Sequence, residues 1–166
     1  MRQEFFKLLL EAMRKNPNIF FLTGDLGFGL ADEIFAEFPN HAYNVGASEM
    51  AMIDMAIGLA YEGKIPFCYS ITTFLLYRPF EALKTYCNHE SLNVNLVGSG
   101  RNKSYLHDGI SHWSDDAWKL FDNGHALLDN LLDNFIAFWP DNNEQMEANF
   151  DIMLENNKPS FISLLR

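Results

Sequence analysis

A single carboxylate, Glu49, stands at the predicted start of a helix, and its neighbours make it the first candidate for chemistry. It follows Gly46-Ala47-Ser48, and the residues from Met50 to Ile57 are nearly all apolar, which predicts a helix that is buried all round. One interpretation is structural: Ser48 caps the helix, and Glu49 interacts with the free N–H groups of the first turn. The local pattern alone favours it. The other is functional, because an apolar setting disfavours the charged form of a carboxyl, and such groups are active-site candidates.

Three aromatic side chains, Phe74, Tyr77 and Phe80, recur at intervals of three residues. This spacing places them on one side of a helix. An ordinary core stripe is the simpler interpretation of the pattern. The alternative is an aromatic wall against which a flat heterocycle stacks.

A polar loop over residues 98–114 contains the sequence Asp108-Gly109-Ile110-Ser111-His112. Its spacing matches neither the His-Glu-x-x-His pattern nor a Cys/His zinc pattern, so no metal site is predicted here. We expect His112 to donate or relay a proton near a substrate. A plain surface loop is the alternative.

A glycine-rich segment, residues 24–29, follows the first predicted strand. It has neither the G-x-G-x-x-G spacing of a dinucleotide site nor the Lys-Ser/Thr pair of a P-loop, so by itself it indicates only a strand-to-helix turn. Cys68 and Cys87 have no activating neighbours in the sequence, and we interpret both as small buried hydrophobic residues.

The elements that must position these residues alternate between helix and strand along the chain. Helices are predicted over residues 2–15, 30–38, 49–61, 74–87, 116–121 and 143–155, and strands over 19–22, 43–45, 65–71, 94–97, 135–139 and 160–165. This alternation predicts an α/β fold, a parallel β-sheet covered by helices on both faces. The continuous apolar run at 135–139 predicts a strand buried on both sides. Ligands of such sheets bind beyond the carboxyl ends of the strands, where three of the four relevant loops carry the polar residues above.

The composition sets outer bounds on the function. The chain has 166 residues, 48% of them hydrophobic and 14% aromatic, with a net charge of −10. One domain is expected at this length, and an acidic chain is a poor candidate for gripping nucleic-acid phosphates. Two cysteines make no disulfide scaffold, and the N-terminal segment lacks the cleavage site of a signal peptide. No apolar run reaches the ~18 residues of a membrane span, so we predict a soluble, cytoplasmic protein.

Five motifs in a fixed order make the chain similar to a known family. They are Gly24-Asp25-Leu26, Asn44 to Met52, Gly58-Leu59-Ala60-x-x-Gly63, Pro66-Phe67 with Thr73-Phe74, and Asp108-Gly109-x-x-His112. Together they resemble the pyrimidine-binding domain of transketolase and its thiamine-diphosphate-dependent relatives. The resemblance covers almost the whole chain and is weakest over 115–134. It implies a single pyrimidine-binding domain over residues 1–166, and the closing segment Pro159 to Arg166 fits the last strand of that domain.

The resemblance assigns cofactor roles to residues at matching positions. In this family the carboxyl at the Glu49 position hydrogen-bonds the ring nitrogen of the cofactor's aminopyrimidine and thereby activates the cofactor. Phe74, Tyr77 and Phe80 would surround the aminopyrimidine ring. Asp25 matches an acidic position in the family's first active-site loop.

Three further residues receive substrate roles in the same way. Asp108 and His112 match residues that contact sugar hydroxyls, and His112 also assists proton movement. Arg166 matches an arginine that grips the substrate, often at its phosphate. Gly27 and Gly29 stand where transketolase carries polar contacts to the substrate's phosphate, so the resemblance does not imply an ordinary sugar phosphate as substrate. We predict Arg101 as a substitute contact.

In this family, diphosphate and magnesium are held by a Gly-Asp-Gly motif with a downstream Asn. This sequence lacks that motif, because its only Gly-Asp is Gly24-Asp25 and Leu26 follows it. We therefore expect a separate partner subunit to hold the diphosphate and Mg²⁺, in a split transketolase that forms a heterotetramer. The predicted reaction is transfer of a two-carbon ketol unit between sugar or sugar-phosphate substrates. The alternatives are a 1-deoxyxylulose-phosphate synthase-like or 2-oxo acid decarboxylase-like enzyme, or a degenerate non-catalytic binding subunit.

Overall fold

The computed structural model describes residues 1–121 and 131–166. Its centre is a six-stranded sheet in which every pairing is parallel, in the order β2-β1-β3-β4-β6-β5. The strands are β1 (Ile19–Thr23), β2 (Ala42–Asn44), β3 (Ile65–Ile71), β4 (Asn95–Ser99), β5 (Ile136–Phe138) and β6 (Ser160–Leu164). The predicted parallel sheet is confirmed.

Helices cover both faces of the sheet, as predicted. They are α1 (Arg2–Lys15), α2 (Asp32–Glu37), α3 (Glu49–Tyr61), α4 (Thr72–Tyr77), α5 (Phe80–Ala82) and α6 (Asn143–Glu155). On one face α1, α2 and α6 bury a cluster around Phe5, Phe21 and Phe67. On the other, α3, α4 and α5 bury a cluster around Met52, Leu75 and Phe161. Among the described helices none is long and apolar enough to cross a membrane.

The prediction of one continuous helix over 74–87 is wrong. The chain forms α4, breaks at Arg78-Pro79, forms the short α5 and then makes a π-helical turn over Leu83–Asn88. Proline lacks the N–H that an α-helix interior needs, and its ring clashes with the preceding turn. The break therefore follows from Pro79.

Three other predictions need correction. The segment predicted as a strand buried on both sides supplies β5, an edge strand whose residues are only half-buried. The short helix predicted at 116–121 is a 3₁₀ turn over Ala117–Leu120. Helix α3, whose apolar sequence indicated burial all round, leaves Met50 and Met55 about two-fifths exposed.

The strand order places a reversal of direction beside β1. From β1 the chain moves outward to β2 and then returns to the other side of β1 as β3. β1 and β3 are neighbouring strands, and their register aligns Thr23 with Tyr69. The loops that follow them therefore leave in opposite directions, towards β2 and towards β4. Such a switch point opens a crevice at the carboxyl ends of the strands, where open α/β sheets bind ligands.

Candidate functional site

Glu49, the first residue of α3, points into this crevice. Its side chain is only 1% exposed, and the buried Ser70 hydroxyl at the end of β3 donates a 2.7 Å hydrogen bond to Oε1. Burying a carboxylate is costly unless hydrogen bonds or charges compensate. Ser48 precedes the helix as predicted but makes no side-chain cap hydrogen bond, whereas the Glu49 side chain in the first turn is directed inward.

The glycine after β1 makes room for this carboxylate. A Cβ atom added at Gly24 would lie 3.1 Å from Oε1 of Glu49 and 3.2 Å from the Ser70 hydroxyl. Both contacts are tighter than ordinary van der Waals distances. The glycine that the sequence marked only as part of a turn thus lets the backbone of β1 approach the buried acid.

Arg78 binds the other oxygen of Glu49, and the sequence analysis missed it. Its Nη1 donates to Oε2, and its guanidinium carbon lies 3.8 Å from the centroid of the Phe74 ring. The side chain of Arg78 is 44% exposed. A cation within the aromatic run from Phe74 to Phe80 was the available signal, but the sequence does not show that the run faces Glu49.

The three predicted wall aromatics lie in different surroundings. Phe74 is half-buried and carries Arg78 on its ring, whereas Phe80 packs against the hydrophobic cluster under α3 and α5. Tyr77 is exposed, and its hydroxyl donates to Asp116 at 2.7 Å. Burial, together with this hydrogen bond, raises the pKa of Tyr77 above its ordinary value. Among the three, Phe74 is the ring placed directly beside the Glu49 pair.

The predicted proton-relay loop reaches the same site through Phe74. The half-buried His112 ring lies edge-on to Phe74, with 4.7 Å between centroids, and its Nδ1 is 3.0 Å from the Ser111 hydroxyl. The Thr73 hydroxyl donates to the Trp113 carbonyl at 2.9 Å, which fastens the loop to α4. Asp108 is exposed in the adjacent turn. The structure thus brings His112 to the cofactor-binding candidates and leaves Asp108 at the rim.

A second polar group lies at the ends of β4 and β6. The Ser99 and Tyr105 hydroxyls are 2.8 Å apart, and the guanidinium of Arg166 lies 4.8 Å from the centre of the Tyr105 ring. Arg2, which the sequence analysis did not select, approaches the Ser99 hydroxyl to 3.5 Å. Burial raises the pKa of the neighbouring Tyr69, although Ser99 and Arg2 partly oppose this shift. One cationic side chain therefore lies against each member of this pair, Arg2 at the Ser99 hydroxyl and Arg166 over the Tyr105 ring.

The side chain of Arg101 is directed into the protein and is only 12% exposed. Its Nη2 donates to the carbonyls of Pro140 and Ser163, both at 2.8 Å, and its Nη1 contacts Asp141 at 3.1 Å. Burial lowers the pKa of this guanidinium, an effect that Asp141 opposes. These contacts join the end of β4 to β6, and the predicted substrate contact of Arg101 stays a prediction.

Asp25 stands at the tip of the loop after β1, exposed and in a left-handed backbone conformation with φ of 57°. Asn44 at the end of β2 holds it, since its Oδ1 accepts from the Asp25 N–H at 3.1 Å and its Nδ2 donates to the Asp25 carboxylate at 3.3 Å. The same Oδ1 accepts from Gly46 just before α3. This network ties the Asp25 loop to the entry of the helix that carries Glu49.

Comparisons with known proteins show which family and which fold this chain shares. The family described as the transketolase pyrimidine-binding domain matches residues 1–166. A 6-deoxy-6-sulfo-D-fructose transketolase subunit from Clostridium sp. is 30% identical over all of this chain and 49% of its own length. A putative transketolase C-terminal section from Methanocaldococcus jannaschii is 35% identical over 68% of this chain and 36% of its own length.

A solved structure described as a split gene transketolase, in an inactive beta4 tetramer, superposes with a TM-score of 0.79 at 28% identity. The match covers 99% of this chain and 51% of that one. The chain thus spans about half the length, or less, of these proteins. Because the family match extends over every residue, the chain belongs to the transketolase pyrimidine-binding domain family.

Proposed function

We propose that this chain is a subunit of a split transketolase-like enzyme, in which Glu49 activates thiamine diphosphate for transfer of a two-carbon ketol unit between sugar-like substrates. The observation that carries the proposal is the buried Glu49 carboxylate, fixed by Ser70 at the switch point of the sheet and adjacent to the Phe74 ring. When bound, the cofactor supplies the nucleophilic carbon and the electron sink of the reaction.

The residues present fit the aminopyrimidine half of that cofactor. Glu49 has one oxygen held by Ser70, so Oε2 is the oxygen that faces a ring nitrogen. Gly24 makes room for the carboxylate itself, and Phe74 supplies an aromatic face. Through Oε2, Glu49 would form the hydrogen bond to the ring nitrogen by which it activates the cofactor. Tyr77 and Phe80 complete the aromatic wall in this proposal, with Asp25 at its rim.

The sugar would bind over the loop that carries Asp108 and His112. The exposed Asp108 carboxylate would accept hydrogen bonds from hydroxyl groups, and His112, stacked edge-on against Phe74, would move protons between substrate atoms. An anionic group of the substrate would face Arg166, with Arg2 approaching the same hydroxyl pair. The name of the Clostridium relative specifies a sulfo sugar, which supports an anionic substrate for this chain.

A partner subunit would hold the diphosphate and Mg²⁺. Across residues 1–121 and 131–166 no three His, Cys, Asp or Glu side chains cluster in a way that could hold a metal ion. Apolar side chains stand exposed at the rim of the crevice, with Phe28 74% and Ile110 80% exposed, as expected of a surface that another chain covers. The Clostridium relative is named as a subunit, and the split gene transketolase structure is an inactive beta4 tetramer, so both support assembly of this chain with other subunits. In this proposal the active form is a heterotetramer with the diphosphate-binding partner.

The test is isolation of the tagged chain from its native lysate in the presence of thiamine diphosphate and Mg²⁺, followed by sequencing of whatever co-purifies. We expect a stoichiometric partner with Gly-Asp-Gly and a downstream Asn, and ketol transfer by the assembled enzyme. Glu49→Gln is the test variant, because it preserves the shape of the side chain and removes its carboxyl group. We expect the rate of ketol transfer to fall about 10²–10⁴-fold.

Three results would contradict the proposal in different ways. Turnover of a 2-oxo acid without any ketose would overturn ketol transfer and favour a decarboxylase-like reaction. A chain that purifies alone and binds no cofactor would favour a non-catalytic binding subunit. Unchanged turnover in the Glu49→Gln enzyme would remove Glu49 from the mechanism.

A further inference from the structure

The contact between Arg78 and Glu49 joins groups in very different environments. Glu49 is 1% exposed and Arg78 is 44% exposed, so a cation from the rim reaches inward to a buried acid. Arg78 sits at the end of α4, immediately before Pro79, and its N–H donates to the Phe74 carbonyl at 3.3 Å. The side chain thus folds back over its own helix onto the Phe74 ring and enters the crevice from the solvent side.

The guanidinium has the properties that the site would use to bind an aminopyrimidine. It is planar and delocalised, stacks on an aromatic face and donates hydrogen bonds in its own plane. It lies 3.8 Å over the Phe74 ring and donates to Oε2 of Glu49, the oxygen that Ser70 does not use. A cofactor ring placed against Phe74 and Glu49 would need the same oxygen. Arg78 and the ring therefore compete for one position.

We propose that Arg78 is a displaceable placeholder, which pairs with Glu49 in the cofactor-free chain and leaves when the aminopyrimidine ring binds. This inference rests on the proposed function. The pair compensates a carboxylate that would otherwise be buried with a single hydrogen bond, an arrangement that costs free energy. Because only the open form can bind the cofactor, the closed pair lowers the apparent affinity of the chain for it.

The test compares cofactor binding by the chain assembled with its partner, measured by titration calorimetry with thiamine diphosphate and Mg²⁺. Arg78→Met keeps the length of the side chain and removes the guanidinium, and we expect roughly tenfold tighter binding. Lys84→Met is the control, since Lys84 is an exposed cation two turns away in the chain and makes no ion pair among the described residues. We expect it to bind like the unaltered complex.

A second measurement uses the cofactor-free chain and reports on the pair directly. Arg78→Met should lower the midpoint of denaturant unfolding in the natural chain, and this effect should disappear in the Glu49→Gln background. An unchanged midpoint, or an equal loss in both backgrounds, would overturn the pairing.

The two proposals fail in distinguishable ways. If the unaltered complex binds thiamine diphosphate but Arg78→Met binds no more tightly, the placeholder is wrong and the proposed function stands. Weaker binding by the folded variant would mean that Arg78 contacts the cofactor itself, which also overturns the placeholder. If neither complex binds the cofactor, the proposed function fails and takes this inference with it.

Discussion

Glu49 and Asp108 are both carboxylates at the same edge of the sheet, but they are held very differently. Glu49 is buried, fixed by Ser70 and approached closely by the backbone of Gly24. Asp108 is exposed in a loop that is fastened to α4 through the Thr73–Trp113 and Tyr77–Asp116 hydrogen bonds. The sheet thus fixes Glu49 with little freedom, whereas the loop leaves Asp108 free to move, and under the proposed function we expect the loop residues to adapt to the substrate.

The largest expected effect on activity comes from two separate variants, each of which changes the length of one of these side chains by one methylene. Glu49→Asp withdraws the carboxylate from Ser70 and from the ring position, and we expect at least about a 100-fold loss of kcat/KM in the assembled enzyme. Asp108→Glu has solvent-filled space around it, and we expect a change of less than about fivefold, mostly in KM. Equal losses would contradict the contrast between a fixed and an adaptable region.

Two arginines give the corresponding comparison for stability. Arg101→Met leaves the Pro140 and Ser163 carbonyls without their charged donor, and we expect the free energy of unfolding to fall by about 2–3 kcal/mol. Arg166→Met, at an exposed position, should change it by less than about 0.5 kcal/mol while raising KM for an anionic substrate. Denaturant unfolding of the cofactor-free chain measures the first effect. Equal stability of the two variants would contradict the structural role of Arg101.

A smaller change tests the support of Glu49 itself. Ser70→Ala removes the 2.7 Å hydrogen bond to Oε1, and we expect a loss of about 1–2 kcal/mol in the free energy of unfolding. Ser99→Ala, also on a buried strand hydroxyl but away from Glu49, is the comparison. Only Ser70→Ala should also reduce cofactor binding. A loss of binding in both variants would indicate general damage to the sheet instead.

The smallest expected effect on stability comes from the hydrogen bond between Tyr77 and Asp116, which fastens the loop to α4. Tyr77→Phe removes the hydrogen bond to Asp116 and should cost about 0.5 kcal/mol at pH 7. Because the folded state raises the pKa of Tyr77, its contribution to stability is fully present below pH ~10, the ordinary tyrosine value, and declines at higher pH. The difference between the natural chain and Tyr77→Phe should therefore shrink above that pH. Unfolding curves at pH 8 and pH 10.5 measure it, and a constant difference would contradict the assignment.

The architecture could be predicted because its signals are local. Continuous apolar strands such as Ile65–Ile71, alternating with helical periodicity, require a parallel sheet with both faces covered. The motif around Glu49 also fixed where a helix begins, since Ser48 and the acid that follows it are local signals of a helix N-terminus. The helix break at Pro79 was equally local, and the prediction of 74–87 as one helix gave this proline too little weight.

Burial and partners, by contrast, depended on contacts between distant residues. The apolar run at 135–139 predicted a fully buried strand, but the sheet order left β5 at the edge. Arg101 was predicted only as a substitute substrate contact, and its contact with the Ser163 carbonyl, 62 residues away, arises only once β6 pairs with β4. No local pattern contains that information, since it arises only when the strands pair.

The sequence by itself determined the family and the parallel sheet, and it singled out Glu49 as the candidate acid, because periodicity and ordered motifs are properties of the chain. Only the tertiary structure decided what surrounds that acid. Ser70 and Arg78 lie 21 and 29 residues from Glu49 along the chain, and they meet it because β3 ends and α4 begins beside the switch point of the sheet. Side chains so far apart become neighbours through the packing of whole elements, which is why the sequence pointed to Glu49 but not to the cation that pairs with it.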